Sequence, residues 1–187
     1  MSFYEDKQNR IIWALKEIGD ESYDWVSQII DYNRSDRVLP VEQRKPIRII
    51  IANYGGGLDE ARMLREIIKL SKTPIYGIAV GMCASAASVL YLSCHKRFAT
   101  NNATFLFHKG SCDKLGGNYS ELVSFMDKYK ADVEELTEFY VNSTKFSRDE
   151  IIQHLTEGDW YVDVQTALKN GVVDEILTDL SILYGGG

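Results

Sequence analysis

The chain is short of proline and of cysteine, and each shortage excludes something. Three prolines (Pro40, Pro46, Pro74) in 187 residues, with no Gly/Ser-rich linker or low-complexity block, offer no domain boundary. Residues 1–184 are therefore read as one domain, and Gly185, Gly186 and Gly187 as a glycine tail. Three cysteines (Cys83, Cys94, Cys112) form neither an even disulfide set nor a CxxC pair. This excludes a disulfide scaffold, speaks against a metal site, and makes a reducing cytoplasm the expected compartment. The opening residues lack a basic stretch followed by an apolar one, and no run approaches the roughly 18 apolar residues of a membrane span, so no membrane is expected. Positive charge is not in excess: 21 Lys and Arg face 27 Asp and Glu, a net charge of -6, which argues against nucleic acid or anionic lipid as the main partner. What is present, 45% hydrophobic and 26% charged residues, is the usage of an ordinary globular domain. At this length folding buries roughly 70% of the unfolded surface, enough for a core without staples.

Strand and helix signals alternate. Ile11 to Leu15 reads as a short strand, and Asp20 caps an amphipathic helix bearing Tyr23, Val26, Ile29 and Ile30. A polar loop is expected over about 33–45. Ile47 to Ile51 is a β-branched strand ended by Gly55-Gly56-Gly57, and a helix near 59–70 has Asp59 and Glu60 in its first turn. Ile75 to Val80 is again a strand, running through Gly81 into a helix of small residues from Ala84 to Leu90. Thr104 to Phe107 is a strand, a long helix follows from about Tyr119 to Tyr140, and Val172 to Leu177 is a last strand. This rhythm is that of an α/β protein with crossover connections, whose chemistry sits where strands hand over to helices.

Two handovers are chemically loaded. Ser85, between Ala84 and Ala86, falls where a buried strand turns into a helix whose first N–H groups favour an oxyanion. The same residue also reads as a simple helix cap. A serine nucleophile needs a base, and the chain holds three histidines. His154 is expected to face outward from a helix that buries Ile151, Ile152 and Leu155. His95 lies beside Lys96 and Arg97, two cations that lower its basicity. His108 ends an apolar strand and opens a glycine-bearing loop, the better place for a catalytic group, although a strand-end histidine is also commonly structural. The triple glycine lacks the Lys-Ser/Thr of a phosphate loop, leaving an oxyanion site or a plain turn.

Taken together, Gly55-Gly56, Gly81-Met82-Cys83-Ala84-Ser85, Phe107-His108 and Asp159-Trp160-Tyr161 leading to Ala167, Gly171 and Asp174-Glu175-Ile176-Leu177 resemble, in order and spacing, the ClpP family, the proteolytic subunits of ATP-dependent Clp proteases. The resemblance spans about residues 10–177. It implies an α/β fold of the ClpP/crotonase type, with repeated strand-strand-helix units and a long projecting handle helix within about 110–145. It implies a serine endopeptidase acting on peptides and unfolded proteins, with Ser85 as nucleophile, His108 as general base and Asp159 orienting the imidazole. The backbone N–H groups of Gly56 and Ala86 would form the oxyanion hole. It further implies self-assembly into heptameric rings stacked in pairs, a tetradecamer, and the length and apolar stripe of the long helix lead to the expectation that Phe125 and Tyr129 are buried between subunits. No cofactor is implied, ATP entering only through an AAA+ unfoldase as partner.

The sequence departs from the family pattern at Tyr54 and Gly110, where prolines are usual, and at Arg48 and Ile50, read as outward strand positions where the family shows aromatics that receive the unfoldase. Nine residues precede Arg10, which gives the expectation of a short gating segment and a wide axial pore. Competing readings are an acyl-CoA enzyme of the crotonase type, which would need a carboxylate base, a non-catalytic ring subunit, and a Ser/Lys peptidase recruiting Lys109 or Lys96.

Overall fold

The computed structural model describes residues 7–110 and 116–184; Cys112 and the glycine tail lie outside them. The elements follow in the order β1 (Ile11–Ala14), α1 (Glu21–Asp36), β2 (Ile47–Asn53), α2 (Leu58–Leu70), β3 (Ile75–Ala84), α3 (Ala86–Leu92), β4 (Lys96–Ala99), β5 (Thr104–Phe107), α4 (Tyr119–Ser143), α5 (Arg148–Glu157), β6 (Trp160–Asp163), α6 (Val164–Lys169) and β7 (Glu175–Ile176). No helix among the described residues is long and apolar enough to cross a membrane.

The strands form one sheet in the order β1-β2-β3-β4-β7, all parallel, as crossovers through helices require. β3 is the pivot. Its first half pairs with β4 from Tyr76 to Ala79, and its second half pairs with β5 from Met82 to Ala84. Gly81, expected to end the strand, lies within it, and the helix starts only at Ala86. β6 then runs antiparallel to β5, with Phe107 opposite Trp160.

Most of the core lies on the helix-covered face, where Ile49, Ile51, Leu64, Ile68, Leu90 and Phe105 are almost wholly buried, each contributing roughly 1.5–3 kcal/mol of transfer free energy. The opposite face holds a smaller cluster, Ile11, Ile50, Ile78 and Phe98, covered by Tyr76, Leu177, Ile182 and Leu183. This corrects the outward reading of Arg48 and Ile50, which are 5% and 2% exposed. The C-terminal segment folds back over them, and Arg48 clips it down by donating from Nε to Ile182 O, while its Nη1 donates to Asn9 O (3.1 Å) and Pro46 O (3.3 Å) at the start of the chain and of β2.

Other expectations shift locally. The expected polar loop is helical to Asp36 and has a 3-10 turn at Val41–Gln43. The last strand shrinks to Glu175–Ile176. The long helix runs to Ser143, 25 residues or roughly 37 Å, opened by a capping box between Asn118 and Glu121. Its buried residues, Thr137 and Tyr140, both lie near its C-terminal end. That end is tied to α2, where Arg62 Nη2 meets Asp132 and Glu135 at 2.6 Å each and Arg65 meets Glu135 at 2.8 Å. Further toward the N-terminus the helix exposes Tyr119, Val123, Phe125 and Met126.

Candidate active site

β3 ends at Ala84 and α3 begins at Ala86, so Ser85 must turn the chain in one residue. It does so at φ 56° and ψ -125°, a positive-φ conformation that costs on the order of 1–3 kcal/mol outside glycine. Such a turn lifts the serine hydroxyl clear of the backbone. The hydroxyl makes no bond to the end of α3. Instead Oγ lies 2.6 Å from Nε2 of His108, which removes the reading of Ser85 as a helix cap.

Sheet pairing explains that meeting. Ala84 lies opposite Leu106, and Ser85 N–H donates to Leu106 O at 2.9 Å, so the next residues on both strands converge just past the sheet edge. The same logic places the third residue. β5 and β6 pair Phe107 with Trp160, and one step beyond that pair come His108 and Asp159, whose Nδ1 and Oδ1 are 3.5 Å apart. The residues by themselves gave no sign of Asp159, which entered only through the family pattern. Its signal is an antiparallel register, and β6 was not among the expected strands.

The glycine turn approaches the same point. Asn53, buried at the end of β2, donates from Nδ2 to Ala14 O and Lys16 O and accepts the Gly55 N–H at 2.8 Å on Oδ1. Ile18 N–H donates to Gly55 O, and Gly57 N–H donates to Ile18 O. The N–H of Gly56 is left without an acceptor among the described residues. Gly55 has φ +107°, and a Cβ there would stand 2.7 Å from Ser85 Cβ and 2.9 Å from Ala84 O, so no other residue fits. The N–H of Ala86, in the first turn of α3, has no carbonyl of its own helix to reach. Gly56, Ser85, Ala86 and His108 all line one cleft of about 580 Å³, whose far wall is α4 through Phe125 and Tyr129. Those two aromatics, expected between subunits, face this cleft within the single chain.

The remaining histidines are occupied. His95 Nδ1 accepts from Ile75 N–H at 2.9 Å, and burial, rather than the neighbouring cations, lowers its basicity. His154 does not simply face solvent; it stacks on Trp160 at 4.3 Å, because β6 offers it a ring. Lys109 reaches Thr156 Oγ1 and Lys96 pairs with Glu175, so both amines are engaged away from Ser85. Cys83, two residues before Ser85, is wholly buried, donates to Ala87 O, and has its thiol pushed well up by burial. Among the described residues no group of three His, Cys, Asp or Glu is placed to hold a metal ion.

Comparison with known proteins agrees in one direction. The family model described as Clp protease matches residues 4–179. The chain is 26% identical over 135 residues to an ATP-dependent Clp protease proteolytic subunit 2 from Treponema pallidum, covering 71% of this chain and 67% of the relative. It is 28% identical over 139 residues to a proteolytic subunit 1 from Chlamydia muridarum, covering 71% and 70%. In fold it is similar to a mutant ClpP1 from Listeria monocytogenes, with a TM-score of 0.81, 22% identity, and coverage of 96% of this chain and 98% of that one.

Proposed function

The chain belongs to the Clp protease family, and from that premise we propose that it is a serine endopeptidase in which Ser85 attacks the scissile carbonyl of a peptide. His108 Nε2 takes the hydroxyl proton as the Oγ–carbon bond forms. The developing oxyanion is received by the N–H groups of Gly56 and Ala86, a kind of stabilisation worth a factor of roughly 10²–10³ per donor. Collapse breaks the C–N bond, the leaving amine carries away the proton held by His108, and water then hydrolyses the acyl-enzyme with His108 again as base. Asp159 steadies the imidazolium while it carries that proton.

The observation that carries this reading is the 2.6 Å approach of Ser85 Oγ to His108 Nε2 at a strained turn facing a cleft. Labelling with a fluorophosphonate and mass mapping tests it: the expected adduct is on Ser85, and an adduct elsewhere overturns the assignment.

We extend the proposal to assembly. Membership of the family is the ground for heptameric rings stacked in pairs that enclose the sites in a chamber, and the exposed aromatic and aliphatic residues on the first half of α4 offer apolar surface that such association would cover. Peptides would be cut there without a cofactor, and ATP would be used only by an AAA+ unfoldase that feeds folded substrates. Native mass spectrometry at micromolar concentration decides this, since a monomer or simple dimer would defeat the chamber. The buried free thiols Cys83 and Cys94 support a reducing cytoplasm as its compartment.

A further inference from the structure

Ser85 holds its strained conformation only if its neighbours hold its carbonyl, and they do. Ser85 O accepts two hydrogen bonds, from Ser88 N–H at 2.9 Å and from the Ser88 hydroxyl at 2.6 Å. A serine has one hydroxyl proton and a carbonyl can only accept, so that proton is committed to Ser85 O. The 3.2 Å contact between Ser88 Oγ and the Tyr140 hydroxyl therefore has Tyr140 as its donor. Burial pushes the Tyr140 hydroxyl well above the ordinary tyrosine range, which keeps it protonated.

Tyr140 comes from α4, 52 residues further along the chain than Ser88. Its ring meets Phe107 edge-on at 4.9 Å, and Phe107 is the residue before His108. One side chain thus touches the turn that carries Ser85 and the strand end that carries His108. Ser88 is wholly buried and Tyr140 is 2% exposed. A buried hydroxyl is unfavourable unless bonded, and a ring needed only for packing could have been phenylalanine. Here the hydroxyl bonds to Ser88, whose hydroxyl proton goes to the nucleophile's own carbonyl.

We propose that Tyr140 and Ser88 are positioning residues that set the Ser85–His108 approach through a relay from the Tyr140 hydroxyl to the Ser88 hydroxyl to the Ser85 carbonyl. The proposal rests on the reading of Ser85 and His108 as nucleophile and base. It adds that α4, beyond walling the cleft, governs the geometry of the reacting pair.

The test uses Tyr140→Phe, Ser88→Ala and the double variant of the full chain. Two quantities are read: turnover of a fluorogenic peptide, split into kcat and KM, and the second-order rate of fluorophosphonate labelling. In Tyr140→Phe and Ser88→Ala kcat and the labelling rate are each expected to fall by about tenfold with KM within about twofold, and the double variant should be no worse than the worse single one, as for residues acting in series. A lower melting temperature with kcat and labelling rate unchanged would mean packing alone and would overturn the relay. So would additive losses in the double variant. If Ser88→Ala does not fold, Tyr140→Phe decides by itself, since it keeps the ring and removes one oxygen. Wild-type labelling away from Ser85 would sink the parent reading and the relay with it; labelling on Ser85 at unchanged rates in the variants would sink the relay alone.

Discussion

Ser85 and His108 meet at 2.6 Å on adjoining strand ends, whereas His108 and Asp159 stand 3.5 Å apart and the Asp159 side chain is 57% exposed. The first contact is enforced by backbone. Ser85 N–H is held by Leu106, its carbonyl by Ser88, and Gly55 packs against its Cβ. The second is set by strand register, and among the described residues the Asp159 carboxylate has no other ion-pair partner. The proposed nucleophile and base are thus preorganised by buried structure within one chain, while the group proposed to steady the base is held loosely at the surface. Substitutions at the two contacts should therefore differ in size.

The largest effect is expected at the tight contact. Ser85→Ala should lower peptidase kcat by about 10⁴-fold or more with the fold intact by circular dichroism, and residual activity within about tenfold of wild type would remove Ser85 as the nucleophile. Asp159→Asn should cost about 10³-fold, chiefly by leaving the imidazole in the wrong tautomer; wild-type turnover in this variant would remove Asp159 from the site. Gly55→Ala probes the backbone support. Its new Cβ must push Ser85 or Ala84 aside, so a loss of about 10²-fold in kcat with about 2 kcal/mol of stability is expected, read from kinetics and a urea melt of the same preparation.

The smallest effect on rate should come from a substitution remote from both contacts. Asp36 is buried and paired with Arg10 at 2.6 Å and with Thr73 at 2.8 Å; burial alone would raise its carboxyl, but the bonds from Arg10 and Thr73 win and hold it below the usual carboxylate range. A depressed folded value means that this group stabilises the fold above the unfolded carboxylate pKa of about 3.9 and loses that contribution as pH falls through the folded value. Asp36→Asn should cost about 2 kcal/mol at neutral pH, flatten the acid limb of the stability curve, and leave kcat within about twofold. A large loss of kcat would show that the tight contact is less self-contained than its hydrogen bonds indicate.

Much of this contrast was visible in the residues, and the rest was hidden for physical reasons. Ser85, His108 and the glycine turn stand at the ends of apolar runs, where a linear reading finds element boundaries, and the structure brings them together. Asp159 belongs to no run of its own, because its place follows from which residue of β5 faces which residue of β6. β4 and β6 are hard to see in the residues because charge interrupts both short runs, β4 beginning with Lys96-Arg97 and β6 ending at Asp163. The handover into α3 comes later than the residues suggest because alanine favours a helix, whereas Ala84 is held in β3 by its pairing with Leu106. Nothing near Arg48 and Ile50 in the sequence reveals that they are covered, because what covers them comes from the far end of the chain.

The pairing of β5 with β6 also bears on how such a chain tolerates change over evolution. The separation of His108 from Asp159 is counted along a four-pair ladder, locked by Trp160 against Phe107 at 5.5 Å and Phe146 at 4.6 Å, and not along the stretch of chain between them. Insertions and deletions between Gly110 and the start of α4 can accumulate without moving the two residues, so the exposed first half of α4 is free to diversify while the His108–Asp159 geometry stays still. One residue added inside β6 would do the opposite: with a side-chain period of two it would exchange the faces of the strand and carry Asp159 out of reach. Length variation in related chains should accordingly crowd into the former segment and be scarce in the latter.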